Sequence, residues 1–220
     1  MGNLVPKMLL PLCGKPLLYW TLKNLEHCSA VGAIVLAAPN SHIKKFEDLV
    51  RQARAKKVVR VVEGGKERVD STVNALPWLP PECEWVGVHD GARPFVSAKN
   101  IEDCFKGALY TGAAILALPV KETVKMVNRK GEIKKTIPRS ELWTAQTPQV
   151  FRRDILTRMY NFKRNKKIDH SHFTDDSLLA ESLGVLVKIV PGSDKNIKIT
   201  APLDLVLAET IIKRGWARAL

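Results

Sequence analysis

Apolar and polar residues follow one another along the chain in two rhythms that predict helices and strands in turn. Leu17, Leu18 and Leu22 have helical spacing within residues 16–28. Residues 32–38 form a continuous apolar run, which is typical of a strand covered on both faces. The two patterns stand next to each other, so the chain starts as a helix followed by a buried strand.

The same alternation continues to residue 118. Ser41 is expected to cap the next helix, which has an apolar stripe from Ile43 to Val50. A later helix is expected to point Leu109 inward with Ile101 and Phe105. The other elements expected here are strands at 57–62, 84–89 and 112–118 and helices at 68–76 and 97–110. This succession predicts a parallel sheet with helices on both faces.

The rhythm breaks at residues 121–137. Two short runs, 122–127 and 132–137, flank the turn signal Asn128-Arg129-Lys130-Gly131, so a hairpin arm that stands off the sheet is predicted. The elements expected after the arm are a helix near 154–160, a helix begun by Thr174, strands at 185–190 and 196–200, and a last helix opened by Pro202.

Length and composition favour one ordinary globular domain. The chain has 220 residues, of which 45% are hydrophobic and 26% are charged, so disordered and collagen-like classes are excluded. No apolar run approaches the roughly 20 residues that a membrane span needs, and no secretory signal is visible, so a cytoplasmic protein is expected. The 4 cysteines show no metal-site spacing and are expected to be free thiols.

Positive charge is concentrated in one part of the chain. The net charge is +13, and residues 121–173 carry 14 basic and 5 acidic side chains. Such a field attracts nucleic acid, a membrane surface or phosphorylated small molecules, although a solvated basic face would look the same. Base stacking has little support, because residues 161–172 contain Phe162 as their single aromatic of the Phe, Tyr and Trp type.

Several polar residues follow predicted strand ends, where open α/β sheets bind ligands. Gly64 and Gly65 lead into a helix, whose N-terminus favours negative charge, although a plain tight turn would have the same glycines. Asp90 ends a strand and suits a divalent metal or ribose hydroxyls; a structural pair with Arg93 is the alternative.

Two lysines add to this picture. Lys198 lies within an apolar segment, where an unpaired ammonium is costly unless an anion meets it. Lys7 precedes another apolar run and is expected to point into a cleft in the same way. Together with the paired glycines and the acidic strand tip, these lysines indicate a phosphate-handling site.

Six ordered motifs then make a family resemblance visible. They are Pro6-Lys7 with Gly14-Lys15-Pro16, EGGKERVDSTVNAL (63–76), VHDGARPF (88–95), TAQTPQVF (144–151), TDDSLLAE (174–181) and NIKITAPLDL (196–205). In these motifs the chain resembles 2-C-methyl-D-erythritol 4-phosphate cytidylyltransferases from about residue 1 to residue 213. Ribitol-5-phosphate cytidylyltransferases share much of the set and are the main alternative; a basic nucleic-acid-binding domain is the alternative of another class.

The resemblance implies a Rossmann-like nucleotidyltransferase sheet with a protruding β-hairpin arm. It implies one domain over residues 1–220, with residues 121–150 as an arm that forms a homodimer. The partners implied are CTP and methylerythritol phosphate, with Mg²⁺ as the divalent metal and with neither membrane nor nucleic acid. The implied reaction is an in-line attack of the methylerythritol phosphate oxygen on the α-phosphorus of CTP, which expels pyrophosphate.

The resemblance also implies roles for individual residues. The catalytic residues would be Lys7, Arg139 and Lys198. The residues at the nucleotide would be Gly64, Gly65, Lys66, Ser71, Asp90, Gly91 and Arg93, with Asp90 also holding the metal. The substrate-side residues would be Thr123, Arg139, Thr147 and Thr174, with Thr123 and Arg139 supplied by the partner's arm.

Members of the family carry a first strand and a glycine-rich loop with an arginine before the position of Met1-Gly2. Weak or no turnover is expected without them, while the fold is largely kept. An open edge or empty slot beside strand 32–38 or strand 84–89 would mark the place of that strand. Met8 and Lys66 also differ from the residues that the family commonly has there, glutamine and an acidic residue.

Overall fold

A computed structural model of the chain describes residues 6–163 and 175–216. The helices in these ranges are α1 (Leu17–His27), α2 (Ile43–Ala53), α3 (Arg68–Ala75), α4 (Ala98–Thr111), α5 (Arg153–Lys163), α6 (Asp176–Ser182) and α7 (Pro202–Lys213). The strands are β1 (Pro11–Leu12), β2 (Lys15–Pro16), β3 (Ile34–Ala38), β4 (Val58–Glu63), β5 (Trp85–Val88), β6 (Ala113–Pro119), β7 (Val124–Val127), β8 (Ile133–Ile137), β9 (Trp143–Arg152) and β10 (Lys188–Pro191). None of these helices has the length and apolar character needed to cross a membrane.

The main sheet has four strands in the order β10-β6-β9-β5. β10 pairs parallel with β6, but β9 runs antiparallel to both β6 and β5, so the sheet is mixed. The expectation of a parallel sheet is therefore wrong for β9, and this strand was not predicted at all. Its apolar pattern is interrupted by Gln146, Thr147 and Gln149, which are buried because each makes hydrogen bonds there.

Helices cover both faces of this sheet, as predicted. Ala114 and Val150 face α4, in a core cluster with Ile101. Their neighbours Ala113 and Phe151 point the other way, into a cluster formed with α3, α5 and α6. This split follows from the strand geometry, because successive side chains of a strand point to opposite faces.

The parallel pair of β3 and β4 stands beside the main sheet, with α1 and α2 packed against it. Among the described residues, β3 pairs with β4 alone and β5 pairs with β9 alone. A cavity of about 850 Å³ lies against both strands and is lined by residues 30–37 and 82–91, among others.

Two local predictions fail for geometric reasons. Ser41 does not cap α2, because residues 40–42 form a 3-10 turn and the Ser41 hydroxyl bonds to Nδ1 of His42 at 2.8 Å. Leu109 is 63% exposed. The buried positions of α4 are 101, 104 and 108, so Leu109 lies one residue, about 100° of helix rotation, away from the buried stripe.

The region after β9 also differs in detail. Residues 196–200 form no strand; the segment is held by the Ile199 amide, which donates to the Ala92 carbonyl at 2.9 Å. The strand expected at 185–190 is shorter and later, as β10. The helix at 176 is capped by Asp175, whose side chain accepts from the Leu178 amide. Thr174, its expected first residue, lies outside the described residues.

The hairpin arm is formed as predicted by β7 and β8, which pair antiparallel. Its turn is closed by Asn128, whose side-chain oxygen accepts from the amides of Lys130 and Glu132 at 2.9 and 3.0 Å. Met126, Val127 and Ile133 are more than half exposed on this arm. The arm therefore presents apolar side chains that nothing in the described part of the chain covers.

The two environments of α4 give a direct stability test. Ile101→Ala should lower the free energy of unfolding by about 2–5 kcal/mol, because Ile101 is 1% exposed in the core. Leu109→Ala on the same helix should change it by less than about 0.5 kcal/mol. Urea denaturation of both variants checks this. Equal losses in the two variants would contradict the packing of α4.

Candidate active site

Asp90 lies two residues after the end of β5 and binds three cationic side chains. One of its carboxylate oxygens accepts from Arg68 Nε at 3.2 Å. The other accepts from Lys198 Nζ at 3.0 Å and from Arg93 Nε at 3.4 Å. The Asp90 side chain is 12% exposed, so these contacts form at the edge of the protein interior. The strand tip, the start of α3 and the segment at 196–199 thereby meet at one carboxylate.

The charged groups of this cluster shift one another's pKa values. Burial alone would raise the pKa of Asp90, but attraction by Arg68 and Lys198 outweighs it and lowers that pKa to about 2. Asp90 is therefore ionised at neutral pH. The pKa of Lys7 is lowered by burial and by repulsion from Lys198, and attraction by Asp90 and Asp204 opposes this shift. Lys7 thus lies within electrostatic reach of the cluster.

Arg68 was not selected from the sequence, yet it makes two ion pairs here. Besides Asp90 it binds Asp176, whose side chain is fully buried and also accepts from the Tyr160 hydroxyl at 3.2 Å. Burial raises the pKa of Asp176, and Arg68 opposes that shift. The position of Arg68 as the first residue of α3, directly after the loop of residues 64–67 (the glycine loop), is the signal that could have revealed it.

The glycine loop joins β4 to α3, as predicted. The Gly64 amide donates to the Ala38 carbonyl at 2.8 Å, and the Gly65 amide donates to Ser71 Oγ at 3.0 Å. A Cβ atom on Gly65 would lie 2.1 Å from Asp70 Cβ, so a larger residue would force the loop off α3. Lys66, the next residue, is exposed.

Gly91 brings the N-terminal segment to the strand tip. A Cβ atom on Gly91 would lie 3.0 Å from Met8 Sδ and 3.1 Å from a methyl carbon of Leu18. Its carbonyl accepts from the Thr21 hydroxyl at 2.7 Å. Met8 can therefore pack directly on the loop that carries Asp90, and this contact places its neighbour Lys7 at the same end of the sheet.

Buried polar groups form hydrogen bonds to the backbone of Asp90 and to its neighbours His89 and Arg93. Thr147 Oγ1 lies 3.0 Å from the Asp90 amide and 3.0 Å from His89 Nδ1. Arg93 donates to the Asn196 carbonyl at 2.9 Å, which ties the strand-tip loop to the segment that carries Lys198. Burial lowers the pKa of His89 to about 4, so its ring is neutral at pH 7. Thr147 is 4% exposed and faces the interior.

The other expected site residues lie apart from this cluster. Arg139 is exposed at the base of the arm and donates to the Lys121 carbonyl at 2.7 Å. Thr123 is exposed just before β7. Neither has a hydrogen bond to Asp90 or Lys198 among the described contacts, and Thr174 lies outside the described residues.

The donor set limits the kind of metal that fits. In the described part of the chain no three His, Cys, Asp or Glu side chains converge as a metal site. Asp90 offers one carboxylate, and its Arg68-bound oxygen accepts one described hydrogen bond, so a lone pair remains there. Mg²⁺ commonly uses one or two carboxylates together with substrate phosphates and water. Asp90 therefore fits a magnesium ion that is also held by phosphates.

Comparison with known proteins identifies relatives along the whole chain. The family model described as 2-C-methyl-D-erythritol 4-phosphate cytidylyltransferase matches residues 1–214. A protein of that name from Pelotomaculum thermopropionicum is 44% identical over 219 residues, which cover 99% of this chain and 91% of the relative. Another from Clostridium perfringens is 40% identical over 213 residues, which cover 97% of this chain and 93% of the relative.

Solved structures agree with this match. The structure of 4-diphosphocytidyl-2C-methyl-D-erythritol synthase from Anaerococcus prevotii has a TM-score of 0.84 and 29% identity, and the match covers 93% of this chain and 88% of that one. The structure of 2-C-methyl-D-erythritol 4-phosphate cytidylyltransferase from Thermus thermophilus has a TM-score of 0.78 and 32% identity, with 94% of each chain covered. Both support the Rossmann-like fold predicted from the sequence.

The glycine loop allows a sharp test of the site's geometry. Gly65→Ala should lower the free energy of unfolding by about 1–3 kcal/mol, because the added methyl group collides with Asp70. Gly32→Ala is the control, since a Cβ atom there has no neighbour within 4 Å. Urea denaturation of both variants measures the difference. A Gly65→Ala protein as stable as the control would contradict the close packing of the loop on α3.

Proposed function

The chain belongs to the 2-C-methyl-D-erythritol 4-phosphate cytidylyltransferase family, and we propose that the Asp90 cluster is its active site. The protein is a nucleotidyltransferase of non-mevalonate isoprenoid biosynthesis: it transfers the cytidylyl group of CTP to 2-C-methyl-D-erythritol 4-phosphate and releases pyrophosphate. The family match does not favour the ribitol phosphate and nucleic-acid alternatives. The observation that carries the assignment of the site is the convergence of Arg68, Arg93 and Lys198 on Asp90.

The cations suit the charge that develops in this reaction. An oxygen of the methylerythritol phosphate forms a bond to the α-phosphorus of CTP, and the bond from that phosphorus to the pyrophosphate oxygen breaks. Negative charge then spreads over the phosphoryl oxygens and the leaving group, so fixed cations supply most of the stabilisation. In our proposal Lys7 stabilises this charge, and Lys198 binds the acceptor phosphate. A magnesium ion held by Asp90 and the triphosphate would neutralise further charge on the phosphate oxygens.

The nucleotide is proposed to lie along the glycine loop. The N-terminus of α3 favours polar and anionic groups, and the bond from the Gly65 amide to Ser71 Oγ fixes the loop that leads into this helix. Lys66 and Gly91 border the same region. Arg93 acts through Asp90 in this proposal, because its guanidinium already donates to Asp90, Asn196 and Ala145.

The active site is proposed to be completed by a second copy of the chain. We assign residues 121–150 as the dimerisation arm of a single domain that spans residues 1–220. The exposed apolar side chains of the arm support this, because burying them against a partner removes apolar surface from water. The position of Arg139 and Thr123 at the base of the arm supports it too, since the described contacts include no hydrogen bond from either residue to Asp90 of the same chain.

The reaction is tested by pyrophosphate release from CTP with each candidate acceptor. Release with 2-C-methyl-D-erythritol 4-phosphate, at a much higher kcat/KM than with ribitol 5-phosphate, is expected. A preference for ribitol 5-phosphate would reassign the acceptor. Absence of release with either acceptor, from a chain that includes the family's first strand and glycine-rich loop, would contradict the assignment as an enzyme.

The role of Lys198 is tested by a matched pair of lysine variants. Lys198→Ala should lower kcat/KM by about 10²–10³-fold, because it removes a cation placed at the reacting phosphates. Lys188→Ala, which changes an exposed lysine on β10, should leave the rate near that of the wild type. Steady-state kinetics with both substrates measures both. A Lys198→Ala enzyme that behaves like the control would remove Lys198 from the site.

The sharing of Arg139 between subunits is tested by complementation. Arg139→Ala and Lys198→Ala proteins should each be nearly inactive alone. Mixed and re-equilibrated in equal amounts, they should recover about a quarter of the wild-type rate, since half of the dimers then contain one intact site. No recovery, in a mixture shown by mass spectrometry to contain mixed dimers, would place Arg139 in the site of its own chain.

A further inference from the structure

The second aspartate of the TDDSLLAE motif, Asp176, is buried beside the proposed active site. It begins α6, and its side chain is fully buried. One of its carboxylate oxygens pairs with Arg68 Nη1, and the other accepts from the Tyr160 hydroxyl at 3.2 Å. Each oxygen thus has one described donor. A carboxylate that is shielded from solvent in this way has no direct access to a substrate.

The main chain around Asp176 is anchored to β9. The amides of Asp176 and Ser177 both donate to Gln149 Oε1, each at 3.1 Å. Gln149 is itself buried, and its Nε2 donates to the Asp175 carboxylate at 2.7 Å. The start of α6 is therefore held on the sheet by contacts that do not involve Arg68. Asp176 can serve as a fixed point to which Arg68 is bound.

The guanidinium of Arg68 is held between two carboxylates. Its Nε donates to Asp90 at 3.2 Å, and its Nη1 donates to Asp176. The third nitrogen, Nη2, is buried and has no hydrogen-bond partner in the described part of the chain. Two bonded nitrogens fix the orientation of a planar guanidinium, whereas a single bond leaves it free to turn. Without Asp176, the bond to Asp90 is the single described hydrogen bond that would orient Arg68.

Stability alone does not account for this buried ion pair. Replacement of such a pair by apolar residues of similar volume is often neutral or even stabilising. The pair of Arg68 and Asp176 lies next to Asp90, on which the cations of the proposed site converge. What the pair supplies is a fixed direction from which Arg68 meets Asp90.

We propose that Asp176 is a positioning residue that acts on the nucleotide through Arg68 and Asp90. Its carboxylate fixes the guanidinium of Arg68, and Arg68 in turn fixes the oxygen of Asp90 that it binds. This inference rests on the proposed function, because it takes the Asp90 carboxylate as the group that serves CTP and its metal. Local sequence pattern does not indicate this role, since the contact joins residues 108 positions apart.

The test compares Asp176→Leu with Asp176→Asn in CTP binding. Leucine removes the partner of Arg68, whereas asparagine keeps a side-chain oxygen that can accept from it. The Kd of CTP in excess MgCl₂ is measured by calorimetry on the chain used for pyrophosphate release. It should rise about tenfold in Asp176→Leu, as is usual when a group that orients a metal ligand is lost. Asp176→Asn should restore most of the affinity.

Tyr160→Phe is the matched control. It removes the hydrogen bond to the other oxygen of Asp176 and leaves the contact with Arg68 in place. The Kd of CTP in this variant should therefore stay close to that of the wild type. An equal rise in Kd in Tyr160→Phe and Asp176→Leu would mean that Asp176 matters through the integrity of the core, and would overturn the proposal.

A double variant covers the case in which Asp176→Leu does not fold. Arg68→Met combined with Asp176→Leu replaces the whole pair by apolar residues, so neither charge is left buried without its partner. If Asp176 acts through Arg68, the double variant should bind CTP no more weakly than Arg68→Met alone. A further loss in the double variant, or wild-type affinity in Asp176→Leu, would overturn the proposal. Calorimetry needs no turnover, so these outcomes are distinct from an absence of pyrophosphate release, which would contradict the proposed reaction.

Discussion

The structure depends on one carboxylate that holds cations from separate parts of the chain. Arg68 begins α3, Arg93 lies in the loop after β5, and Lys198 lies in the segment that precedes α7; all three converge on Asp90. The three cationic side chains repel one another, and the negative charge of Asp90 offsets that repulsion and allows them to converge. The cluster that results is a preorganised anion site, in which the cations are in place before any phosphate arrives.

Burial of polar groups around the cluster explains much of the surrounding fold. Asp176 is fully buried, and its charge is met by Arg68 and by the Tyr160 hydroxyl. Gln149 accepts from the amides of Asp176 and Ser177 and thereby fixes the start of α6 on β9. Buried polar groups are tolerable when every partner is in place, and removal of one partner from a buried ion pair commonly costs about 3–5 kcal/mol. The active-site geometry and the stability of α3 and α6 are therefore coupled.

Elements with a regular apolar pattern can be predicted from the sequence, whereas elements that bury hydrogen-bonded polar side chains cannot. α1 follows from helical spacing, β3 from a continuous apolar run, and the hairpin arm from a turn signal between two short runs. β9 was missed because Gln146 and Thr147 are buried through hydrogen bonds to distant residues, which no local pattern encodes. Motifs selected Asp90 and Lys198, whose side chains meet in the structure, although the strand expected around Lys198 is absent. The roles of Arg68 and Asp176 require knowledge of which atoms meet, and only the three-dimensional contacts supply it.

The most direct measurement is a double-mutant cycle on the unfolding of the protein, with Asp90→Asn, Lys198→Met and the double variant. The pair joins two segments more than 100 residues apart in sequence, so its coupling reports the cluster itself. A coupling energy of about 1 kcal/mol is expected, since Lys198 is partly exposed and the Asp90 side chain is mostly buried. Losses that add within about 0.3 kcal/mol would show that Asp90 and Lys198 are not energetically linked, and would contradict the account.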